Sequence, residues 1–196
     1  MDIHTLIASR VRALRTERGL SLEALAKLSN VSRSNISLIE RGESSPTAAL
    51  LDKLAAALGV SLASLFAEQE DGGSPPSPLS RASQQTAWTD PASGYTRRNL
   101  SSAAPSPIHL VEAVFPAGQR TVLDSSARGS EIHQQIWIIE GTMEITVGEQ
   151  HWRLDAGDCL SMEVAPQMVF HNPGSSSARY LVALSTESST SPRRNP

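Results

Sequence analysis

A single cysteine, Cys159, stands in the 196-residue chain. That scarcity excludes an intrachain disulfide and any cysteine-based zinc site. Long apolar runs are missing as well, so no segment spans a bilayer. The opening "MDIHTLIASRVRALR" is amphipathic and interrupted by charge, unlike the unbroken apolar stretch of a secretory signal. No internal repeat is visible, and no nucleophile stands beside a base at a recognisable spacing. These absences predict a cytoplasmic protein with no membrane partner, no cofactor and no catalytic residues. The net charge of −3 hides an asymmetry. Residues 1–67 carry 8 Lys and Arg against 6 Asp and Glu, whereas residues 68–196 carry 9 against 14. A basic front on an acidic back suggests an anionic partner for the front only.

The two halves also differ in period. In the first, Leu6, Ile7, Val11 and Leu14 recur at three- and four-residue spacing and draw one helical stripe that Gly19 ends. Ser21 caps "LEALAKLS", Asn30 and Val31 turn the chain, and Ser32 caps "RSNISLIER". Gly42 stops that helix, Thr47 caps "AALLDKLAAALG", and "SLASLF" reads as a last short helix. Residues 1–67 are therefore expected to form a five-helix domain. Residues 68–83, which include "EQEDGGSPPSPLS", are polar and rich in Gly, Pro and Ser, as a flexible linker would be. From 84 to 186 alternation dominates. "QIWII", "TMEITV", "QHWRL", "CLSMEV", "MVFH" and "RYLVAL" are strand-like runs separated by turn signals. Short strands so closely spaced predict a small antiparallel β-barrel or sandwich. Residues 187–196 read as a disordered tail.

The most informative stretch is "SLEALAKLSNVSRSNISLIERG", 21–42. Two short capped helices meet at a tight turn. Ala26 sits where the helix backbones must cross, and Val31, Ile36 and Ile39 supply the core. This is a helix-turn-helix layout, whose second helix enters the DNA major groove N-terminus first. Its first turn offers Arg33, Ser34 and Asn35, with Ser37 and Leu38 further along, as base-contacting candidates. Arg33 suits a guanine edge, where two hydrogen bonds give ~1–3 kcal/mol of discrimination. Ser21 and Ser32 place hydroxyls and backbone N–H groups at helix N-termini, where phosphates are favoured, and Arg41 is a second phosphate candidate. Capping alone also accounts for Ser21 and Ser32. Arg10, Arg12 and Arg18 read as a solvated face.

From about Ser9 to Phe66 the chain resembles the phage-repressor-like, or XRE, helix-turn-helix family, through "LRTERGLSLEALAKLSNVSRSNISLIERGESSPT" and "LDKLAAALGVSLASLF". The resemblance implies a DNA-binding regulator and a structural pair, Arg15 with Glu40, tying the first helix to the third. Together with half-site geometry it implies a homodimer on a pseudo-palindromic double-stranded operator.

"IWIIEGTMEITVGEQHWRLDAGDCLSMEVAPQMVFHNPG" resembles the cupins over roughly Gln84 to Leu184, with Gly141, the Gly157–Asp158 pair and "HNPG" at typical spacings. The expected architecture is therefore two-domain, α plus all-β, with a C-terminal cupin-like antiparallel β-barrel. In cupin enzymes two histidines, a glutamate and a later histidine hold a metal. By that resemblance the glutamate position falls on Gln134 and the last histidine position on Met168. The first pair falls on Arg128 and Ser130, or on Ala127 and Gly129. None is a good ligand for a divalent ion. Alternation turns His133 outward when Gln134, Ile136 and Ile138 face in, and His171 is out of phase with Met168 and Phe170. A shifted site from Glu131, His133 and His171 is thereby disfavoured, and His109 and His151 lack partners at ligand spacing. The expectation is no metal. The interior that remains, Gln134, Ile136, Met168 and Phe170 with Trp152, suits a small organic effector. The two resemblances together imply an effector-sensing, dimeric regulator rather than an enzyme, metal-free because the ligand positions carry poor ligands. Two alternatives stay open: a metal-dependent cupin isomerase or dioxygenase with a regulatory head, and a non-sensing repressor or antitoxin.

Overall fold

The computed structural model describes residues 2–66, 76–125 and 132–185. The expected tail at 187–196, the first half of the expected linker (68–75), Glu131 and the positions 127–130 lie outside the described residues.

Helix α1 spans Ile3–Glu17 and buries Leu6, Ile7, Ala8, Val11 and Leu14, the predicted stripe. Helix α2 is Leu22–Ser29 and α3 is Arg33–Glu40. The Ser21 hydroxyl accepts from the Ala24 N–H at 3.0 Å, and the Ser32 hydroxyl accepts from the Asn35 N–H at 3.2 Å. Each satisfies one orphan donor of a helix start. Between them Asn30 adopts φ 53°, the left-handed conformation that asparagine tolerates better than most residues. Helix α4, Ala48–Ala57, starts at Thr47, whose hydroxyl accepts from the Leu50 N–H at 3.3 Å.

The expected fifth helix is not an α-helix. "LASLF", Leu62–Phe66, winds as a 3-10 segment, so the described residues of the domain form four α-helices. Five residues supply little more than one turn, too few for an α-helical hydrogen-bond ladder to propagate. Val11, Leu14, Leu25, Ile36, Ile39, Leu51 and Leu54 close the helical core.

Among the described residues the second half has ten strands, all paired antiparallel: β1 Ala87–Thr89, β2 Thr96–Asn99, β3 Ile108–Phe115, β4 Arg120–Asp124, β5 His133–Glu140, β6 Thr142–Val147, β7 Gln150–Asp155, β8 Cys159–Glu163, β9 Gln167–His171 and β10 Ala178–Ser185. They form a six-stranded sheet, β1-β2-β3-β10-β5-β8, and a four-stranded sheet, β4-β9-β6-β7. The predicted closed barrel is corrected to two open sheets. Hydrophobic alternation reports which residues face a core, but not whether the last strand pairs with the first. Gly141 joins β5 in one sheet to β6 in the other with φ 79°. Residues Ala82–Gln84, at the expected linker boundary, make one 3-10 turn.

The helical head is seated directly on the β domain. Phe66 stacks at 5.5 Å on Trp88, Trp88 meets Tyr95 edge-on at 6.4 Å, and Tyr95 lies 5.1 Å from Phe115. This row of rings runs from the head into the sheet interior, and the two cores merge. Polar contacts frame it. Asp90, 2% exposed, accepts from the Ala48 N–H at 3.0 Å and so serves the start of α4 from across the interface. The Ser125 hydroxyl donates to Asp52 at 2.8 Å, and Lys53 pairs with Asp124 at 3.7 Å. These contacts join the head to the β domain through residues outside the expected linker.

Candidate nucleic-acid interface and effector cavity

The base-contacting candidates share one end of α3. Arg33, Ser34 and Asn35 are exposed, and Ser37 and Leu38 are half-buried beside them. Ile36 and Ile39 on the opposite face are buried and hold the helix to the core. Arg15 and Glu40 fix its angle. The Arg15 guanidinium donates from Nε at 2.6 Å and Nη2 at 2.8 Å to the two carboxylate oxygens, and Nη1 donates to the Leu20 carbonyl at 2.8 Å. The bond to Glu40 raises the Arg15 pKa above its ordinary value. The pair is structural, as the family resemblance implies.

The phosphate candidates lie at helix ends: Ser21 and Ser32 cap the starts of α2 and α3, and Arg41 stands at the C-terminal end of α3. Ser21 and Ser32 use oxygen lone pairs for their caps, which leaves each hydroxyl proton available to a phosphate. Arg41 is exposed, but it is engaged: Nε and Nη2 donate to Glu43 at 2.9 and 2.8 Å, and Nη1 donates to the Ser37 hydroxyl. One candidate reader and one candidate clamp are thus tied together, and Glu43 competes for the clamp. Arg10 is not simply solvated, because its Nε donates to the Ser64 carbonyl at 3.1 Å and links α1 to the 3-10 segment.

The second site is a cavity between the sheets and under the head, with about 40 Å³ of free space. Gln134, Met168 and Phe170 line it as expected. Ile136 is fully buried but is not part of the wall, and Trp152 is half-buried at a separate surface groove with Val147 and Pro166. Alternation identifies the inward face of a strand; it does not say which inward residues border the void. The Gln134 amide donates to the Met168 sulfur at 3.8 Å. These are the two positions that the cupin resemblance assigns to a glutamate and a histidine, and their side chains face each other. An amide and a thioether are a poor donor set for a hard or borderline divalent ion. His133 is exposed, His171 Nδ1 is bonded to Glu144 at 2.9 Å, and His151 to Thr146 at 3.0 Å. Among the described residues no three His, Cys, Asp or Glu side chains cluster at metal-binding distance. Cys159 is exposed on β8.

Sequence reasoning missed the polar part of the wall: Asp52 and Ser61 from the head, and Tyr95, Arg97, Thr121 and Tyr180 from the sheets. The six strand runs used for the pattern begin at Gln135 and leave β1–β4 out. "GYTRRNL" carried a usable signal, since Arg97 is two residues from Tyr95 and so shares its face of the strand.

Comparison with known proteins agrees with both halves. Residues 11–65 match the family model described as helix-turn-helix. The chain is 22% identical over 181 residues to the HTH-type transcriptional regulator SutR of Escherichia coli K12, covering 91% of this chain and 94% of SutR. It is 43% identical over 61 residues to the HTH-type transcriptional regulator y4dJ of Sinorhizobium fredii, covering 31% of this chain and 79% of that protein. A crystal structure of an HTH_3 family transcriptional regulator from Vibrio cholerae superposes with a TM-score of 0.73 at 25% identity, covering 94% of this chain and 97% of the other. That likeness spans the helical head and the paired sheets together.

Proposed function

The chain belongs to the XRE-type helix-turn-helix family of transcriptional regulators, and from that premise we propose that it is a homodimeric, sequence-specific DNA-binding regulator whose cupin-like domain senses a small molecule. The observation that carries the reading is the exposed N-terminal turn of α3, with Arg33, Ser34 and Asn35 free of the core and flanked by the capped helix starts at Ser21 and Ser32. That turn enters the major groove and reads base edges, while Ser21, Ser32 and Arg41 take phosphates. Among the described residues no helix is long and apolar enough to cross a membrane, in keeping with a cytoplasmic role.

One head spans few base pairs, so a second copy supplies the other half-site. The outer face of the six-stranded sheet is the surface for it. Trp137, 46% exposed, sits opposite Leu181, with Leu110 and Val114 on the same face of neighbouring β3. The small molecule occupies the cavity beneath the head. Gln134 and Met168 at the ligand positions favour a sensor over a metal-dependent enzyme.

Electrophoretic mobility shift and footprinting on the DNA upstream of the protein's own gene test this reading. The expected result is a protected pseudo-palindrome with two half-sites. Loss of all binding at low ionic strength, with or without cell extract, overturns it. Stoichiometric iron, zinc or manganese in protein purified without chelator would favour the enzyme instead.

A further inference from the structure

We propose that the cavity beneath the head binds a small monocarboxylate, held by Arg97 through its carboxylate and by the Met168–Phe170 wall through its apolar end. The proposal rests on the sensing role given above and names the effector class.

The argument starts from an unsatisfied guanidinium. Arg97 Nη1 donates to the Tyr95 hydroxyl at 2.7 Å, and the guanidinium carbon lies 6.0 Å from the centre of that ring. Arg97 Nε is buried and has no hydrogen-bond partner. Among the described residues no carboxylate pairs with this side chain. Tyr95 cannot neutralise it, because burial raises the phenol pKa and keeps the proton on. A buried N–H without an acceptor, here Nε of a half-buried arginine, is costly, and the group is always charged. The edge formed by Nε and Nη2 is the one that meets both oxygens of a carboxylate in parallel.

The wall then limits the rest of the ligand. Leu123, Met168, Phe170 and Val182 are apolar, and Gln134 offers an amide. The free space of about 40 Å³ compares with roughly 10–15 Å³ for one water. That is room for about three or four water-sized groups, which matches the smallest acids, and propionate and butyrate probe how far the wall yields. A dicarboxylate would press its second charge against apolar side chains, which is unfavourable.

Asp52, Ser61, Leu62 and Ala63 of the head line the same cavity. A bound acid therefore touches both halves, so its affinity depends on how the head is seated. The carboxylate of Asp52, bonded to Ser125, borders the space the anion enters.

The full-length protein is tested by thermal melting and by saturation-transfer NMR with acetate, propionate and butyrate at constant pH and ionic strength. Propionamide is the uncharged isostere, succinate the dicarboxylate and sodium chloride the salt control. We expect a concentration-dependent rise in Tm and saturation transfer with propionate or butyrate, and neither with propionamide or succinate. Arg97→Met should abolish the response, and Arg97→Lys, which keeps the charge but not the fork, should weaken it about tenfold. If Arg97→Met does not fold, Arg97→Lys and the acid-amide comparison decide. No response to any acid overturns the site, as does an equal response to propionamide or undiminished binding by a folded Arg97 variant. Mobility shifts without acid judge the regulator reading separately. DNA binding without acid binding removes only the site, whereas acid binding by a protein that ignores DNA removes the regulator and leaves the site.

Discussion

Ser125 donates its hydroxyl proton to Asp52 at 2.8 Å, across the boundary between the β domain and helix α4. Both residues are 2% exposed, so the bond is made out of water. It lies next to the Asp90–Ala48 contact and the Phe66–Trp88 stack only in the sense that all three hold the same head to the same domain. Ser125→Ala removes the donor and leaves a buried carboxylate oxygen short of one partner, at a cost of about 1–3 kcal/mol. The variant should melt at lower temperature, and calorimetry should show the head separating from the β domain as a distinct transition. An unchanged single transition would mean that the aromatic row and the remaining polar contacts seat the head without this bond.

Gly141 is the other position where the fold has little freedom. Its φ is 79°, and a Cβ there would lie 2.9 Å from the Ala178 Cα and 3.1 Å from the Ser177 carbonyl oxygen. Backbone atoms cannot move aside as a side-chain tip can. Gly141→Ala should therefore destabilise the β domain by about 1–3 kcal/mol. Chemical denaturation followed by Trp fluorescence would measure it. Gly148→Ala, with a positive φ but nothing within 4 Å of the added Cβ, should cost less.

The α2–α3 unit was readable because its signals are local. Ser21, Asn30 and Ser32 each act on backbone groups within four residues, so sequence spacing and geometry are the same information. The inward phase of Gln134, Met168 and Phe170 was readable for the same reason, as strand alternation is local. Sheet pairing is not. Thr121 pairs with Phe170, 49 positions later, and nothing near either residue encodes the partner. The docked head was hidden likewise, because Asp52 and Ser125 stand 73 positions apart. Arg97 was overlooked since a charged residue on a short strand reads as surface unless the strand is already known to border a cavity.

Arg33 is the base reader most open to test, being exposed in the first turn of α3. Arg33→Ala should weaken operator binding by roughly 1–3 kcal/mol and relax the preference at one base position. Binding measured over a randomised half-site would show it. Equal affinity and an unchanged base profile would remove Arg33 from the reading surface.

Glu144 carries a pH dependence whose sign follows from its partner. The His171 bond lowers its pKa below the usual 4.5. A carboxylate with a depressed folded pKa stabilises the fold above its unfolded pKa, and that contribution is lost as the pH falls through the folded pKa. His171→Phe should therefore lower stability at neutral pH and flatten the acid limb of the stability curve below about pH 4.5, with little change at lower pH where the contribution is already lost. A limb of unchanged steepness would assign acid sensitivity to other carboxylates.

Arg41 and Glu43 make opposite predictions at one surface point. Arg41 donates twice to Glu43, which lowers the Glu43 pKa and keeps it ionised. A phosphate approaching Arg41 must displace that carboxylate. Arg41→Ala should weaken binding to every sequence alike and lower the salt slope by about one. Glu43→Gln should act the other way, strengthening binding to specific and non-specific DNA together, because it removes a competing anion while leaving the guanidinium in place. Titrations at several salt concentrations on operator and scrambled duplexes would read both effects. A loss confined to the operator in Arg41→Ala would instead make Arg41 a base reader, and its bond to the Ser37 hydroxyl would then place the two side chains in a single reading pair.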